Sequence, residues 1–370
     1  MEFTVTKSDL VQELNLSQGV VERKTTIPIL SNVLIEAEKD RVTLTTTDLE
    51  LGFRSSFAAR VKKAGSGTVP AKKLLDYVRL LPEGDVNIKF GENQWASITA
   101  GRSKTRIAGM SRESFPELPK MPEPVAQAPI KIVASMIAKT IFSISAEESR
   151  FTLNGALFIV KPDQFVMVST DSHRLALVEN PGNPGVVSPY RALLPRKAMQ
   201  ELQKLSSEAG VGDLLNFAGD ENHLFFEIGD RLLISRRLTG NFPEYERVLP
   251  KDLPEKIVLV KEEFRASIER VMQFADERSR AVRVQAVAGE VRVHSNLSDT
   301  GESEESIPVN YEGPTVEIGF NGQYLLDFMR AVPETEIQFI FKDGGSAGEF
   351  RPHSAEPTYN YRYIVMPMRI

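Results

Sequence analysis

Residues 70–79 read PAKKLLDYVR, and two later stretches repeat their pattern, PRKAMQELQK at 195–204 and NGQYLLDFMR at 321–330. In each stretch three polar residues follow one another at i, i+4 and i+7, so they lie on one face of a helix. The three sets are Lys72, Asp76 and Arg79; Lys197, Glu201 and Lys204; and Gln323, Asp327 and Arg330. Successive sets begin 125 and 126 residues apart in a chain of 370, which predicts three copies of one domain-sized unit.

A proline-rich motif marks the ends of the first two copies. Phe-Pro-Glu occurs at 115–117 and again at 242–244, 127 residues later. Each motif opens a segment with further prolines, which helix interiors and central strands exclude. We therefore interpret both segments as linkers and predict domains at 1–122, 123–250 and 251–370.

Each predicted domain repeats one order of elements. An amphipathic helix comes first; in the first domain Ser8 is the predicted N-cap, and Leu10 and Leu14 lie on the apolar face. Alternating β-rich runs follow, then the charged helix, then further alternation. Two helices and many short antiparallel strands per domain predict an α+β fold. The chain shows no strand-helix-strand rhythm, so a doubly wound parallel sheet is not expected.

The composition is that of an ordinary globular protein, with 41% hydrophobic and 26% charged residues. The chain has no cysteine, which excludes a disulfide framework, a thiol nucleophile and a thiolate metal site. The first residues lack the basic segment and apolar run of a signal peptide, and no stretch approaches about 18 apolar residues. We therefore predict a cytoplasmic protein without a membrane segment.

Motifs for catalysis are sparse. No glycine-rich phosphate loop is present, and the histidines form no i, i+4 pair that could hold a metal. Asp171, Ser172 and His173 are the residue types of a hydrolytic triad, yet neighbours in sequence rarely converge on one reacting atom. Asp48 and Glu50 could ligate a metal, although carboxylates at a strand end are more often solvated. We predict no catalytic residue, metal or cofactor; a hydrolase using Asp171 and His173 is the alternative.

The repeated helix charges have two interpretations. A single such face is commonly a solvated surface with i, i+4 salt bridges. Three faces in the same register favour a functional basic surface, to which Lys7, Lys139 and Arg265 of the first helices would add. Long cations without aromatic platforms suit sequence-independent binding of duplex DNA. The net charge of −5 then requires a basic surface segregated from an acidic exterior. A monomeric DNA-binding adaptor is consistent with the same pattern.

The C-terminal segment is unusually apolar. Residues 363–370 read YIVMPMRI, where chain ends are usually polar and loosely ordered. One interpretation is an edge strand tucked into the third domain. The other is that Met366, Pro367 and Met368 line a groove, because unbranched, polarisable methionines suit a groove that accepts different peptides.

Several motifs together indicate a known family. They are Thr-Asp-Ser-His-Arg-Leu at 170–175, Leu-Asn-Gly at 153–155, Phe-Pro-Glu-Tyr-Glu-Arg-Val-Leu-Pro at 242–250, Val-Met-Pro-Met-Arg-Ile at 365–370 and Ile-Pro-Ile-Leu at 27–30. They occur in order over the whole chain. With them, the sequence resembles the bacterial sliding clamps, the beta subunits of DNA polymerase III.

The resemblance implies a non-enzymatic processivity factor. Clamps of this family are three-domain chains that pair head to tail into a closed six-domain ring. Helices line the hole and sheets form the outside, so duplex DNA passes through without sequence readout. The implied partners are a second copy of the chain, duplex DNA, the catalytic subunit of DNA polymerase III, the clamp loader, and other polymerases and repair proteins that dock short Gln- and Leu/Phe-containing peptides.

The repeated charges and the resemblance predict three surfaces. The predicted DNA-facing residues are Arg23, Lys24, Lys72, Arg79, Lys139, Arg196, Lys197, Lys204 and Arg330. The predicted peptide cleft, between domains two and three, comprises Leu153, Thr170, His173, Arg174, Leu175, Pro243, Arg247, Val248, Asn321, Tyr324, Val365, Met366, Pro367, Met368 and Arg369. The predicted dimer contact is apolar and held by Ile107 and Phe274.

Five places depart from the family pattern. Ser172 stands where glycine is common, and Lys24 where arginine is. The glycine-rich segment 344–348 replaces a more apolar wall of the cleft. Thr105 and Gln273 stand where larger apolar groups are usual, which is why the dimer contact is assigned to their neighbours.

Overall fold

The computed structural model describes residues 1–21, 26–91, 93–147, 149–210, 212–297 and 301–369. The predicted DNA-facing residues Arg23 and Lys24 lie outside these ranges. By its contacts the chain divides into two compact units. Unit 1 comprises Met1–Ala134 and Lys197–Arg237, and unit 2 comprises Ser135–Arg196 and Leu238–Ile370. The domain boundaries near 122 and 250 stay predictions.

The charged stretches are helical, as predicted. In the described residues the α-helices are α1 (Lys7–Ser17), α2 (Ala71–Arg79), α3 (Ile130–Thr140), α4 (Arg196–Glu208), α5 (Lys261–Val271) and α6 (Gly322–Ala331). The repeated charges lie on α2, α4 and α6. The apolar positions between them, Leu74, Met199 and Leu325, are at most 1% exposed, so burial of this apolar stripe fixes which face carries the charges.

Helix α1 begins before the predicted cap. Thr6, not Ser8, is the N-cap, and its hydroxyl oxygen accepts a hydrogen bond from the Asp9 N–H at 3.1 Å. Asp9 also places a carboxylate in the first turn, where the helix dipole favours negative charge. Leu10 and Leu14 are fully buried, as the periodicity predicts.

Short strands make up most of the remaining chain. Up to residue 181 they are β1 (Glu2–Thr6), β2 (Asn32–Glu38), β3 (Arg41–Thr47), β4 (Leu51–Ala58), β5 (Arg60–Lys63), β6 (Gly65–Pro70), β7 (Asp85–Phe90), β8 (Trp95–Ala100), β9 (Ser103–Ala108), β10 (Ala126–Pro129), β11 (Gly155–Lys161), β12 (Gln164–Thr170) and β13 (Arg174–Pro181). The later ones are β14 (Tyr190–Pro195), β15 (Leu214–Gly219), β16 (His223–Ile228), β17 (Arg231–Arg236), β18 (Glu255–Val260), β19 (Ala281–Val287), β20 (Glu290–Leu297), β21 (Gly301–Pro308), β22 (Val316–Asn321), β23 (Glu336–Phe341), β24 (Gly348–His353) and β25 (Asn360–Val365).

Unit 1 contains two sheets. One has the strand order β10-β15-β16-β17-β4-β3-β2-β6, and the other β5-β1-β7-β8-β9. Their main hydrophobic cluster joins both sheets to α1 and α2 through residues such as Phe3, Leu10, Val33, Leu74 and Ile88. Alternating strand residues and the apolar helix stripes meet in this core, which explains the α+β layering.

Unit 2 is built in the same way. Its sheets have the orders β14-β11-β12-β13-β25-β24-β23-β18 and β21-β20-β19-β22. Stacked aromatic rings fill part of the core, with centroids 5.2 Å apart for Phe328 and Tyr363 and 4.8 Å apart for Phe339 and Phe350. Strand β25 pairs with β13 on one side and β24 on the other. The C-terminal strand is therefore interior, and the edge-strand interpretation is wrong.

The two long sheets have matching strand orders. From β6, the unit 1 sheet runs β2, β3, β4, β17, β16, β15, β10; from β14, the unit 2 sheet runs β11, β12, β13, β25, β24, β23, β18. Each strand of one sheet has a counterpart in the other, and the pairings across the middle, β4 with β17 and β13 with β25, are both antiparallel. The internal repeat is thus structural, and the predicted α+β fold with antiparallel sheets is confirmed.

Candidate functional site

A tight turn, Thr170 to Arg174, joins β12 to β13 in unit 2. Asp171 Oδ1 accepts hydrogen bonds from the N–H groups of His173 at 3.0 Å and Arg174 at 3.1 Å. The Thr170 hydroxyl donates to the Arg174 carbonyl oxygen at 2.7 Å. Ser172 has a φ of 78°, a left-handed conformation that glycine adopts at least cost. The turn fixes Arg174 at the first position of β13.

Arg174 is held on several sides. Its Nε donates to Asp171 Oδ2 at 3.0 Å, its Nη1 to Asp327 Oδ2 at 2.7 Å and its Nη2 to the Phe142 carbonyl oxygen at 2.5 Å. The guanidinium also lies 4.1 Å from the ring centroid of Tyr324. Burial alone would lower the pKa of Arg174, but Tyr363, Asp327 and Asp171 outweigh it and raise that pKa. Arg174 is therefore a permanent, immobile cation. Its partner Asp327 is the repeated acid of α6.

A largely apolar pocket opens beside this arginine. Its volume is about 200 Å³, and its lining residues are Thr170, Ser172, Arg174, Leu175, Pro243, Tyr245, Val248, Ile364 and Met366. The floor belongs to a buried cluster that includes Leu175, Tyr245 and Ile364. A cavity of about 150 Å³ with apolar walls is large enough for a benzene ring, so this pocket can accept a leucine or phenylalanine side chain.

Tyr245 is a neutral wall of this pocket. Burial, together with the negative charge of Glu246, raises the pKa of Tyr245 to about 12. The ring is only 7% exposed. Because the phenol stays protonated near neutral pH, the pocket presents one fixed charge, that of Arg174, at the edge of an apolar surface.

The pocket contains part of the predicted cleft. The predicted residues in its lining are Thr170, Arg174, Leu175, Pro243, Val248 and Met366. Sequence reasoning missed Ser172, Tyr245 and Ile364. Two simple signals could have found the last two: Tyr245 lies between Pro243 and Val248, and Ile364 is two residues before Met366, on the same face of an extended segment.

The other predicted cleft residues lie around the pocket. Leu153 and Val365 are buried, at 7% and 0% exposed, and cannot be reached by a ligand without rearrangement. Tyr324 stacks on Arg174, and the Asn321 side chain caps α6 by accepting from the Gln323 N–H at 2.9 Å. The exposed members are His173, Arg247 and Arg369.

The chain end leaves the sheet after Val365. Met366 is 38% exposed at the pocket mouth, and its N–H donates to the His173 carbonyl oxygen at 2.9 Å. The Met368 N–H donates to the Gly319 carbonyl oxygen at 2.8 Å, and Pro367 and Met368 are half-buried. The tail is thus anchored by backbone hydrogen bonds, with Met366 directed at the pocket. The glycine-rich segment contributes Ala347, which packs against the pocket's buried cluster.

The geometry does not favour the hydrolase alternative. Both oxygens of Asp171 are engaged, one by two backbone N–H groups and the other by Arg174. The carboxylate therefore cannot orient the His173 ring as a triad would require. Among the described residues, no cluster of histidine and acidic side chains is able to hold a metal ion.

The repeated charges on α2 are solvent-exposed. Lys72 pairs with Asp76 one helical turn away, with the Lys72 side chain 65% exposed. Arg79 donates a hydrogen bond to the Asn15 side chain. In the described ranges no carboxylate lies within ion-pair distance of Arg79, so it keeps an unpaired charge available to a ligand.

Each basic residue named on α4 has an ion-pair or hydrogen-bond partner. Lys197 pairs with Asp48, and Lys204 pairs with Glu201 at 2.6 Å, while both lysine side chains stay about half exposed. Arg196 differs, because its Nη2 donates to the Ile144 carbonyl oxygen at 2.7 Å. Burial and the neighbouring charge of Arg174 lower the pKa of Arg196. Lys197 and Lys204 remain candidates for phosphate contact, whereas Arg196 is half-buried and tied to the backbone.

On α6 the base is exposed and only loosely paired. Arg330 is 56% exposed and lies 3.8 Å from Asp327 and 3.7 Å from Glu269. Gln323 donates to the same oxygen of Asp327, Oδ1, at 2.8 Å. The interpretation of these faces as solvated surfaces predicts i, i+4 salt bridges. Some of these salt bridges are present, and the helices carry exposed cations as well.

The expectation for Lys139 needs correction. It is 5% exposed, lies 4.5 Å from the ring centroid of Tyr359 and donates to the Ser135 hydroxyl at 2.5 Å. Burial lowers the pKa of Lys139, an effect that Glu334 partly opposes. Lys7 and Arg265 of the other first helices are paired with Glu83 and Glu262. The first helices thus add little free positive charge.

The predicted dimer contact also needs correction. Ile107 is 3% exposed and belongs to the unit 1 core, because its side chain points inward from β9. Phe274 is half-buried, with Gly301 beside its ring. The edge strands instead expose charges. Edge strand β9 of one sheet exposes Lys104 and Arg106, and edge strand β21 of another exposes Glu302 and Glu304.

Comparison with protein families explains the three-part repeat of the chain. Residues 1–119, 127–244 and 246–369 match the N-terminal, central and C-terminal domains of the DNA polymerase III beta subunit. The chain belongs to the beta sliding clamp family. The three matches follow one another along the chain, in agreement with the three-part repeat of its helices.

Known clamps resemble the chain over its full length. The beta sliding clamp of Caulobacter vibrioides is 33% identical over 379 residues and that of Pseudomonas putida 32% over 380, with all of each chain covered. The crystal structure of the beta subunit from Pseudomonas aeruginosa superimposes with a TM-score of 0.94 at 31% identity, covering both chains fully. A Bartonella birtlesii clamp solved with bound griselimycin gives 0.93 at 33% identity, again over the full length of both.

Membership of this family decides between the alternatives. Beta clamps are non-catalytic subunits of DNA polymerase III, so the chain is not an enzyme and the hydrolase alternative is set aside. In the described part of the chain, no helix is both long and apolar enough to cross a membrane.

Proposed function

We propose that the protein is a DNA sliding clamp that closes as a head-to-tail homodimer around duplex DNA in the cytoplasm. There it tethers the catalytic subunit of DNA polymerase III, with the clamp loader and repair proteins as further partners. The observation that carries the proposal is the match of three consecutive beta-subunit domains over nearly the whole chain. The exposed helix cations, the edge strands and the pocket each support one part of it.

The proposed DNA contact is weak and independent of sequence. The exposed cations Lys72, Arg79, Lys197, Lys204 and Arg330 lie on the repeated helices. Most of them have a carboxylate neighbour, which reduces their net attraction for phosphate. Contacts to phosphates position a protein on DNA without reading bases. Enclosure, rather than affinity, would then keep the protein on DNA while it slides.

The proposed ring closes through edge strands of opposite charge. Unpaired edges offer N–H and C=O groups to another chain. Lys104 and Arg106 on β9 would meet Glu302 and Glu304 on β21 of a second copy. Such pairing is heterologous, so two equal interfaces close one dimer. In this proposal opposite charges take the place of the apolar contact that the sequence assigned to Ile107. Phe274 stays a candidate for packing beneath the dimer interface.

The proposed peptide site is the pocket of unit 2. It combines a volume suited to a leucine or phenylalanine side chain with the fixed cation Arg174 and the unbranched, polarisable thioether side chain of Met366. A partner peptide would place one apolar side chain in the pocket and its backbone along the tail. Polymerases and repair proteins that carry such peptides would compete for it.

A charge-exchange experiment tests ring closure. One variant carries Lys104→Glu and Arg106→Glu, so both its edges are acidic; the other carries Glu302→Lys and Glu304→Lys, so both are basic. We expect each variant alone to be monomeric in sedimentation analysis, and an equimolar mixture to form dimers, because each joint then pairs opposite charges. If either variant alone still forms dimers, or if the mixture stays monomeric, closure through these edge strands is contradicted. A mixture that stays monomeric would also favour the monomeric adaptor.

A further inference from the structure

Unit 1 contains a second pocket built like the one in unit 2. Its volume is about 110 Å³, and Thr47, Leu49, Leu51, Leu118, Ile234 and Arg236 are among the residues that line it. The turn that joins β3 to β4 repeats the turn that joins β12 to β13. The Thr47 hydroxyl donates to the Leu51 carbonyl oxygen at 2.7 Å, and Asp48 Oδ1 accepts from the N–H groups of Glu50 at 2.9 Å and Leu51 at 2.6 Å.

The back wall is also repeated. Ile234 of β17 pairs with Gly52 of β4 just as Ile364 of β25 pairs with Leu175 of β13. The Arg236 N–H donates to the Glu50 carbonyl oxygen at 2.8 Å, the counterpart of the bond from Met366 to His173. The two Phe-Pro-Glu segments supply the remaining wall, Leu118 in one pocket and Tyr245 in the other.

We propose that the unit 1 pocket is a second peptide-docking site, which takes a leucine-type aliphatic side chain followed or preceded by a lysine or arginine of a partner protein. The inference rests on the proposed peptide function of the unit 2 pocket, whose construction it shares. It adds a site of different selectivity to the protein.

Size sets the aliphatic preference. A cavity of about 150 Å³ accepts a benzene ring. The unit 2 pocket, at about 200 Å³, exceeds that volume, and the unit 1 pocket, at about 110 Å³, falls below it, which favours a smaller aliphatic side chain in unit 1. Leu49 supports the docking role. It is 49% exposed at the pocket mouth and has a φ of 75°, a strained conformation for a leucine. An exposed leucine held in this way adds an apolar rim to the pocket.

Charge sets the basic preference. Glu117 is exposed at the mouth, and within the described segments it has no ion-pair partner. Its counterpart Glu244 is paired with Arg247. The remaining mouth carboxylate, Glu50, is paired with Arg236 at 3.2 Å. The unit 1 pocket therefore has one uncompensated negative charge, which attracts a basic residue next to the docked side chain.

The two equivalent isoleucines allow both pockets to be followed in one sample. The full-length protein, labelled at the isoleucine δ1 methyl groups, is titrated with the acetylated amide of Ala-Lys-Leu-Ala-Ala while NMR shifts of Ile234 and Ile364 are recorded. We expect a saturable shift at Ile234. A Leu→Phe peptide should bind there about tenfold more weakly, because forcing extra volume into a packed site is unfavourable. A Lys→Glu peptide should also bind more weakly.

Two variants separate the apolar and charged contributions. Leu49→Ser, which installs the side chain found at the equivalent position 172, should weaken the Ile234 response and leave Ile364 unchanged. Glu117→Gln should abolish the preference for lysine over glutamate in the peptide. A peptide carrying Gln, Leu and Phe serves as the probe of unit 2.

The outcomes distinguish this inference from the proposed function. An unmoved Ile234 with a responsive Ile364 overturns the second site and leaves the proposed peptide pocket standing. An unresponsive Ile364 contradicts the proposed peptide function itself. Equal binding of the leucine and phenylalanine peptides at Ile234, or no effect of Glu117→Gln, overturns the assigned selectivity.

Discussion

The turns at 47–51 and 170–174 have the same backbone and opposite chemistry. Each pairs a threonine hydroxyl with the carbonyl four residues on, and an aspartate with two N–H groups. Leu49 and Ser172 both adopt a positive φ. The last residue, however, is the buried aliphatic Leu51 in one turn and the charged Arg174 in the other. The repeat therefore preserved hydrogen bonds that set backbone shape, and it diverged in the side chains that decide what each pocket binds.

Removing the charge of Arg174, which distinguishes the second turn from the first, should lower the stability of the protein most. Arg174→Ala should destabilise unit 2 by about 3–5 kcal/mol, because two partly buried carboxylates, Asp171 and Asp327, would lose the cation that they share. Urea unfolding would measure the loss. Arg247→Ala, at an exposed neighbour of the same pocket, is the matched control and should change stability by less than about 1 kcal/mol. Similar losses for the two variants would mean that Arg174 is not the anchor of its turn.

A smaller loss of stability is expected at high pH, where Tyr245 can ionise. Its counterpart in the unit 1 pocket is Leu118, which cannot. The folded pKa of Tyr245 is raised to about 12, above the value of about 10 for an exposed tyrosine. Its contribution to stability is therefore fully present below pH ~10 and is lost as the pH rises toward the folded pKa. Tyr245→Phe should make the alkaline loss of stability shallower by roughly 2 kcal/mol over that window. Urea midpoints of both proteins at a series of pH values would show the difference, and parallel curves would argue against a buried phenol.

The smallest effect tests the shared backbone. Glycine adopts a positive φ without a steric penalty. Leu49→Gly and Ser172→Gly should therefore each raise stability by about 0.5–1 kcal/mol, with the smaller gain at Ser172, which loses a hydrogen bond from Arg150. The midpoint of thermal unfolding of each variant would measure the change in stability. Lys73→Gly, within α2, is the control and should lower stability by about 1 kcal/mol. Losses at both turn positions would show that their conformations are not strained.

The sequence predicted the elements that depend on local periodicity. The i, i+4, i+7 charges located α2, α4 and α6, because a helix face is decided by residues one turn apart. The alternation of the strands and the Phe-Pro-Glu repeat predicted antiparallel α+β units. The N-cap of α1 is Thr6 and not the predicted Ser8. Both residues have a hydroxyl group and almost the same capping propensity, so only the backbone conformation distinguishes them.

Features that depend on long-range packing could not be read in the same way. Lys139 looked like an exposed helix cation, yet Tyr359, more than two hundred residues later, covers it. Ile107 looked like an available apolar group, but the register of β9 turns it into the core. Tyr245 and Ile364 could be suspected from their neighbours in sequence, but that they share one pocket depends on the pairing of β13 with β25 and on the packing of Tyr245 against Leu175 and Ile364. The second pocket was invisible in the sequence, because its walls come from four separate segments.

If the protein encloses DNA, its retention depends on whether the DNA has ends, so circular and linear DNA should be compared. The protein would be loaded onto a nicked plasmid circle by a bacterial clamp loader, separated from free protein, and divided into two portions at the same salt concentration. One portion is cut once with a restriction enzyme. We expect the protein to stay on intact circles and to be lost from the cut DNA, since only an end allows a ring to slide off. Equal retention on both forms, or equal loss from both, would contradict enclosure.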